Sequence, residues 1–192
     1  MEHLAAAVAN LLRDLGDATV DRFLARWPEP ALPVRPVEPS SLPVLRSLAP
    51  ACAEGPPAAA PVLARLLALA PALAWRQTYG ATEAPPGFLD RYGWTELIGL
   101  RGPVPATQLA VGFLLLGPHT TYPPHRHAAE EIYLPFAPAS WQRGAEPWRD
   151  RPAGSPIHHA PWQRHGMRTA GSPLLALYLW CGGELAARSR FG

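Results

Sequence analysis

The second half of the chain consists of short apolar runs, and this pattern restricts the fold more than any other feature of the sequence. From about Gly93 onward, turns that contain Gly or Pro separate four such runs: TELIGLRG, TQLAVGFLLLG, EEIYLPFA and SPLLALYLWCG. Runs of this length and spacing are typical of β-strands. They predict an antiparallel sandwich or small barrel rather than strands that alternate with helices.

The first half shows helical periodicity. Apolar stripes predict one helix from about Leu4, a second that ends at Pro28, and a third that begins at Pro61. Prolines recur between the second and third helices, so we expect an irregular connector there, with a short helical turn near Leu45 to Leu48.

Helices followed by strands predict an α+β fold that is mainly β, with the helices packed against the barrel. We expect residues 1–92 to form an N-terminal helical extension with a Pro-rich connector. Residues 93–192 are expected to form the β-barrel domain. No internal repeat is apparent.

Composition and charge exclude several classes of protein. A net charge of +2 without blocks of like charge argues against nucleic acid and membrane surfaces as partners. No run approaches the roughly 20 apolar residues of a membrane span, and Glu2 stands where a signal peptide needs a basic flank. The two cysteines, Cys52 and Cys181, are too far apart to suggest a disulfide framework or a thiolate metal site. We therefore expect a cytoplasmic protein, either a monomer or a homodimer.

Polar side chains concentrate in one stretch, YPPHRHAAEEIYLPF, which spans residues 122–136. It holds two histidines, two adjacent glutamates and two tyrosines. Six of the seven histidines of the chain lie between His119 and His165, inside the strand-rich half. Such a concentration predicts a functional site rather than a solvated surface.

Strand geometry groups these side chains. Side chains alternate along a strand, so His125 and His127 are expected on one face, as are Glu131 and Tyr133. Two imidazoles, one carboxylate and a more distant imidazole, without thiolate, suit a divalent metal ion of the Fe, Mn, Ni, Co or Zn series.

The candidates for the distant imidazole are His158, His159 and His165. We favour His165 because it begins a turn-flanked strand after a Pro-led loop. His158 and His159 stand in a Pro-rich segment, and we expect them to be exposed or to support the ligands.

The spacing H-x-H-x-x-x-E of His125, His127 and Glu131 resembles the first metal-binding motif of cupins. The segment APWQRHGMR resembles a degenerate second motif that supplies His165. Glu131 is chosen over Glu130 on this spacing alone. The match covers about residues 94–183 and lacks the usual glycine after the glutamate and the usual asparagine after the last histidine. These departures affect the prediction of the strand boundaries more than the prediction of the metal ligands, because neither missing residue binds metal.

A tyrosine two residues after the glutamate, the preceding YPPH and the helical extension resemble, more narrowly, the bacterial cupin dimethylsulfoniopropionate lyases, especially the Q type. The resemblance implies β-elimination of a zwitterionic sulfonium substrate into dimethyl sulfide and acrylate. It implies one divalent transition metal ion, with Fe²⁺ favoured and Zn²⁺, Mn²⁺, Ni²⁺ and Co²⁺ as alternatives, bound to the substrate carboxylate. Tyr133 is the first candidate for the base that removes the α-proton, and Tyr122 is the second, as acid/base or as a donor to the substrate.

The sulfonium group cannot be neutralised by proton exchange, so aromatic faces are expected to hold it. We favour Trp180 and Tyr178, which share one face of the last long strand. The other candidates in the strand-rich half are Trp141, Trp148 and Trp162. Two other functions fit a cupin of this kind, an Fe(II)-dependent dioxygenase and a non-catalytic module that binds a small molecule.

Overall fold

The structure, a computed structural model, describes residues 1–28 and 34–192. Residues 29–33 of the predicted connector lie outside the described residues. Within the described part, the helices lie in the N-terminal half: α1 (Glu2–Arg13), α2 (Ala18–Leu24), α3 (Leu48–Ala53) and α4 (Ala60–Leu69). Short 3₁₀ segments adjoin these helices at Pro43–Ser47, Pro57–Ala59 and Ala70–Ala72, and another, Leu89–Arg91, lies just before residue 92, where the first long strand begins.

Local signals explain the helix ends. The side chain of Asp17 caps α2 by accepting hydrogen bonds from the backbone N–H groups of Thr19 and Val20, at 2.8 and 3.0 Å. Gly16, with φ of 60°, makes the left-handed turn after α1. The helical turn predicted near Leu45 is longer than expected, because the 3₁₀ turn continues into α3. Pro50 lies in the first turn of α3, where a backbone N–H has no partner within the helix to lose.

The strands form two sheets. The larger one has the order β1–β2–β4–β11–β6–β9, with β3 beside β2. Its members are β1 (Trp75–Arg76), β2 (Tyr92–Gly99), β3 (Val104–Pro105), β4 (Leu109–Leu116), β6 (Glu130–Pro135), β9 (Ile157–His159) and β11 (Leu174–Cys181). The smaller one has the order β12–β5–β10–β7–β8. It contains β5 (Thr121–Arg126), β7 (Ala139–Arg143), β8 (Arg149–Arg151), β10 (His165–Arg168) and β12 (Arg190–Phe191).

Both faces of the larger sheet are buried, and they have different neighbours. On β6, Ile132 and Leu134 belong to the apolar core that also contains Leu4, Phe23 and other helix residues. Tyr133, between them, belongs to a second core that includes Met167 and Trp141 of the smaller sheet. Burial on both faces explains why β4 and β11 read as continuous apolar runs. The helices therefore cover the back of the sheet, and its front faces the smaller sheet.

The α+β, mainly β architecture predicted from the sequence is confirmed, and the four long runs are β2, β4, β6 and β11. The division at residues 92 and 93 stays a prediction. Among the described residues, the longest helix has 12 residues, and none is long and apolar enough to cross a membrane.

We predict that neither cysteine reacts while the protein is folded. Burial raises the pKa of the Cys52 thiol from 9.0 to about 11 and also raises that of Cys181, so the thiolate is scarce at neutral pH. Ellman's reagent should release almost no chromophore from native protein at pH 7 and two equivalents after unfolding in guanidinium. Rapid reaction of either thiol in the native state would contradict their burial.

Candidate metal centre

The predicted ligands come together between the two sheets. Cross-strand pairing places His165 of β10 opposite His125 of β5, and Trp180 of β11 opposite Glu131 of β6. Residues that pair directly across neighbouring strands point to the same face of the sheet. His127 follows β5 immediately and is buried with the others.

The tightest part of the cluster is built around one carboxylate oxygen. Oε2 of Glu131 lies 2.8 Å from Nε2 of His127 and 3.0 Å from Nε2 of His165. One ligand atom from each of these three buried residues lies within 4.8 Å of the others, as a shared metal ion requires. The indole Nε1 of Trp180 donates a hydrogen bond to the other oxygen, Oε1 of Glu131.

The hydrogen bonds of the rings assign their tautomers. Nδ1 of His127 and His165 lies 3.0 and 2.8 Å from the backbone carbonyl oxygens of Ala129 and Gln163, so each Nδ1 carries the proton. Nε2 of each ring faces Glu131, where it can donate a proton to the carboxylate or, once that proton is displaced, offer its lone pair to a metal ion. The donor set therefore fits a divalent transition metal ion, with the carbonyl groups orienting the ligands.

The charges agree with this arrangement. Burial alone would raise the pKa of Glu131, but the nearby charge and hydrogen bonds of His127 and His165 outweigh it and hold the pKa well below its ordinary value. Glu131 is therefore an anion at the centre of the cluster.

His125 lies beside this group. Its ring centroid is 4.3 Å from that of His165 and 6.3 Å from that of His127. Its Nδ1 lies 3.0 Å from the carbonyl oxygen of Pro123, so Nε2 is the free nitrogen. Burial, followed by the proximity of His165, lowers its pKa well below 6.5, so the ring is neutral. Its part as a fourth ligand stays a prediction.

Glu130 points away from the centre. Its Oε1 lies 2.8 Å from Nη2 of Arg22 on α2 and 2.7 Å from Nε2 of His158 on β9. Adjacent strand residues face opposite sides, so only one of the two glutamates can reach the cluster. The geometry thus agrees with the choice of Glu131 made on spacing.

His159 is the histidine whose position was predicted least well from the sequence. It lies on β9 opposite Glu131, is 1% exposed, and stacks on the ring of His165 at 4.1 Å. Neither ring nitrogen has a partner among the described residues. His158 and His159 therefore differ, the first half-exposed and the second buried, because β9 alternates sides. The isoleucine before them, in Ile157–His159, is the signal that could have indicated a strand.

A cavity of about 280 Å³ adjoins the cluster. Its wall contains Glu131 together with six aromatic side chains: Tyr92, Trp94, Tyr122, Tyr133, Tyr178 and Trp180. Gly112 makes room for one of them, because a Cβ at that position would lie 2.6 Å from the Tyr178 hydroxyl. Sequence reasoning identified four of the six aromatics. It missed Tyr92 and Trp94, which come from β2, a strand without any polar motif.

The two candidate bases are both buried. The ring of Tyr133 lies 6.2 Å from that of His165, and the ring of Tyr122 stacks on His125 at 3.9 Å. Burial raises the pKa of both hydroxyl groups well above 10; the charge of Glu131 adds to this for Tyr133, and Tyr92 and Tyr79 add to it for Tyr122. A phenolate at either position therefore needs a nearby cation.

The other tryptophans considered from the sequence lie elsewhere. Trp141 is buried against Tyr133 with ring centroids 5.1 Å apart, but it does not line the cavity. Trp148 packs under the guanidinium of Arg168 at 4.8 Å, and Trp162 is 59% exposed.

Comparison with known proteins agrees with this geometry. A family model described as dimethylsulfoniopropionate lyase matches residues 16–176. The chain belongs to this family. It is 36% identical over 163 residues to DddL of Cereibacter sphaeroides, named as a dimethylsulfoniopropionate lyase, and 35% identical over 109 residues to the dimethylsulfoniopropionate lyase DddQ of Ruegeria pomeroyi. These alignments cover 81% and 56% of this chain but 65% and 54% of the relatives, so the matches span less than two thirds of either relative.

Solved structures extend the comparison to the fold. A chain from the crystal structures of the DMSP lyases RdDddP and RnDddQII matches at a TM-score of 0.87 and 30% identity, covering 99% of this chain and 96% of that one. The crystal structure of DddQ from Ruegeria pomeroyi matches at a TM-score of 0.73 and 27% identity, and the match covers 95% of this chain and 96% of that one. A cupin-2 domain protein of Rhodospirillum rubrum matches at a TM-score of 0.50 and 14% identity, covering 64% of this chain and 76% of that one. At this identity the match shows a shared fold alone. The cupin-like fold and the resemblance to Q-type relatives predicted from the sequence are confirmed.

We predict that Glu131→Gln abolishes most metal binding, whereas the matched change Glu130→Gln leaves it intact. The first removes the charge shared by His127 and His165, and the second removes only the contacts of Glu130 with Arg22 and His158, which lie away from the cluster. Metal content after dialysis, measured by inductively coupled plasma mass spectrometry, tests both. Equal metal content in the two variants would show that Glu131 is not a ligand.

Proposed function

We propose that the protein cleaves dimethylsulfoniopropionate by β-elimination into dimethyl sulfide and acrylate. The observation that carries this proposal is the buried cluster of His127, Glu131 and His165, of which Glu131 lies in the wall of a cavity lined by tyrosines and tryptophans. A metal cluster, phenol groups and aromatic faces match the three demands of the substrate: a carboxylate, an acidic C–H bond and a sulfonium. The volume of about 280 Å³ is at the lower end for ligand sites, as a small substrate requires.

The three clustered residues would hold a divalent transition metal ion, with His125 as the fourth ligand. Fe²⁺ is our first choice, and Zn²⁺, Mn²⁺, Ni²⁺ and Co²⁺ suit the same donors. When bound, such an ion supplies a Lewis acid that favours negative charge on the substrate carboxylate. The protein contributes the orientation of that carboxylate, through ligand rings that backbone carbonyl groups hold in place.

A tyrosine oxygen accepts the α-proton. As the C–H bond breaks, its electron pair forms the carbon–carbon double bond, and the C–S pair leaves with dimethyl sulfide. Tyr133 is our first choice because it is the neighbour of Glu131 on the same face of β6 and lines the cavity. Burial and the charge of Glu131 raise the pKa of Tyr133, so a nearby cation is needed to make its phenolate available as the base. Tyr122, which stacks on His125 and lines the same cavity, is the alternative or donates to the substrate.

Aromatic faces hold the sulfonium. Trp180 and Tyr178 are neighbours on the front of β11, with ring centroids 6.2 Å apart, and both line the cavity. Trp94 joins them from β2. Each cation–π contact contributes roughly 0.5–2 kcal/mol, more when water is excluded. Two of the three arginines in the cavity wall are close to carboxylates that offset their charge: Arg188 pairs with Glu83 at 2.6 Å, and Arg101 lies 3.9 Å from Glu96.

We predict that metal-loaded protein releases dimethyl sulfide from dimethylsulfoniopropionate without oxygen, because elimination consumes none. Headspace gas chromatography under anaerobic conditions is the measurement. A strict need for oxygen would favour a dioxygenase. Binding of the substrate without turnover in either atmosphere would favour a non-catalytic cupin.

We predict that Tyr133→Phe lowers kcat by at least about a hundredfold and leaves the metal content unchanged, since general-base catalysis is worth roughly 10²–10⁴-fold. The wild-type rate should climb with pH, because a base with a raised pKa gains its active form only as protons are removed. Tyr122→Phe is the matched comparison. A full rate in Tyr133→Phe together with a collapse in Tyr122→Phe would transfer the role of base to Tyr122.

A further inference from the structure

A chain of polar groups follows the cavity wall and ends at the hydroxyl of Tyr122. The indole Nε1 of Trp94 donates to Oγ1 of Thr78 at 3.0 Å, and that oxygen lies 2.9 Å from Oη of Tyr92. Oη of Tyr92 is 3.5 Å from Oη of Tyr122, which is 3.0 Å from Oη of Tyr79. Thr78, Tyr92, Trp94 and Tyr122 all line the cavity.

Each hydroxyl group of this chain can donate or accept, and in one arrangement all the donors point toward Tyr122. An indole N–H can only donate, so Thr78 Oγ1 accepts from Trp94 and its own O–H can donate to Oη of Tyr92. The O–H of Tyr92 can in turn donate a hydrogen bond to Oη of Tyr122, and the O–H of Tyr79 can donate to the same oxygen. An oxygen that accepts two hydrogen bonds has both lone pairs occupied. Its own O–H then points away from the chain.

Packing holds the three rings in this relation. The ring of Tyr122 stacks on His125 at 3.9 Å and lies 5.0 Å from that of Tyr92. The ring of Tyr79 is stacked at 3.9 Å on Phe191 of β12, the strand that pairs with β5. Both Tyr79 and Tyr92 are buried, so their hydroxyl groups exchange few hydrogen bonds with water.

We infer that Tyr79 and Tyr92 are positioning residues that hold the hydroxyl oxygen of Tyr122 at a fixed point of the cavity wall, with its O–H directed at the substrate. This inference rests on the proposed function, in which Tyr122 serves as acid/base or as a donor to the substrate. Tyr79 and Tyr92 belong to the segment before β4 and lie outside both histidine motifs. They act through Tyr122 and not on the reacting atoms.

The hydrogen-bond distances to Oη of Tyr122 rank Tyr79 above Tyr92 as a positioning residue. A hydrogen bond at 3.0 Å is well formed, whereas one at 3.5 Å is at the limit for two hydroxyl groups. Loss of the Tyr79 hydroxyl should therefore disturb Tyr122 more than loss of the Tyr92 hydroxyl. Small displacements of a reacting group lower rates strongly, with about a hundredfold for 1 Å.

The test compares Tyr79→Phe with Tyr92→Phe and with Phe191→Leu, all metal-loaded and assayed with dimethylsulfoniopropionate. We expect Tyr79→Phe to lower kcat by about tenfold, with KM within about twofold, and Tyr92→Phe to have a smaller effect, because positioning is lost while binding is kept. Phe191→Leu loosens the packing under Tyr79 but keeps every hydroxyl group, so it should lower kcat by less than Tyr79→Phe does. A wild-type kcat in Tyr79→Phe, or a larger loss in Phe191→Leu than in Tyr79→Phe, would overturn the inference.

Two further measurements separate this inference from the proposed function. In a Tyr122→Phe background, adding Tyr79→Phe should cause no further loss of kcat/KM, whereas an additive loss would mean that Tyr79 acts independently of Tyr122. Crystal structures give a readout without turnover: Oη of Tyr122 should keep both partners in the wild type and shift in Tyr79→Phe. An unmoved Tyr122 refutes the inference even if the wild type is a lyase. An inactive wild type in which Tyr122 still shifts refutes only the lyase.

Discussion

The buried negative charge of Glu131 is the constraint on which the rest of the site depends. A carboxylate taken out of water is costly unless charge and hydrogen bonds compensate it, and three side chains do so here: His127, His165 and Trp180. Glu131 and Trp180 belong to the larger sheet and His165 to the smaller one. The same interactions that hold the charge therefore also join the two sheets across the centre of the domain.

The helices matter to this site although none of their residues reaches it. They cover the back of the larger sheet, where Ile132 and Leu134 pack into the shared core. A strand buried on both sides is held in register, because a slip of one residue would exchange Tyr133 and Glu131 with their apolar neighbours. Arg22 on α2 adds a contact to Glu130 at 2.8 Å. The helical extension thus supports the strand that carries the carboxylate.

The sequence predicted a large part of this arrangement, and the reason lies in spacing. The short apolar runs predicted β2, β4, β6 and β11, and the period of two along a strand grouped His125 with His127 and Glu131 with Tyr133. The prediction was less successful for His159. His158 and His159 were treated alike because both stand in a Pro-rich segment, but the alternation of side chains along β9 buries His159 and leaves His158 beside Glu130. The helical segment at residues 43–53 was underestimated because the prolines that recur between the second and third predicted helices were taken to mark an irregular connector.

By itself the sequence determined which residues could bind a metal, since their spacing within one strand or turn depends on local backbone geometry alone. Only the tertiary structure decided which other side chains surround them. Strand pairing brought Trp180 against Glu131. Packing of the larger sheet and its flanking segments on the smaller sheet brought His159 against His165, and Tyr79 and Tyr92 to the hydroxyl of Tyr122. Such contacts join residues up to 49 positions apart, and no local periodicity encodes them, because they depend on the order and register of the strands.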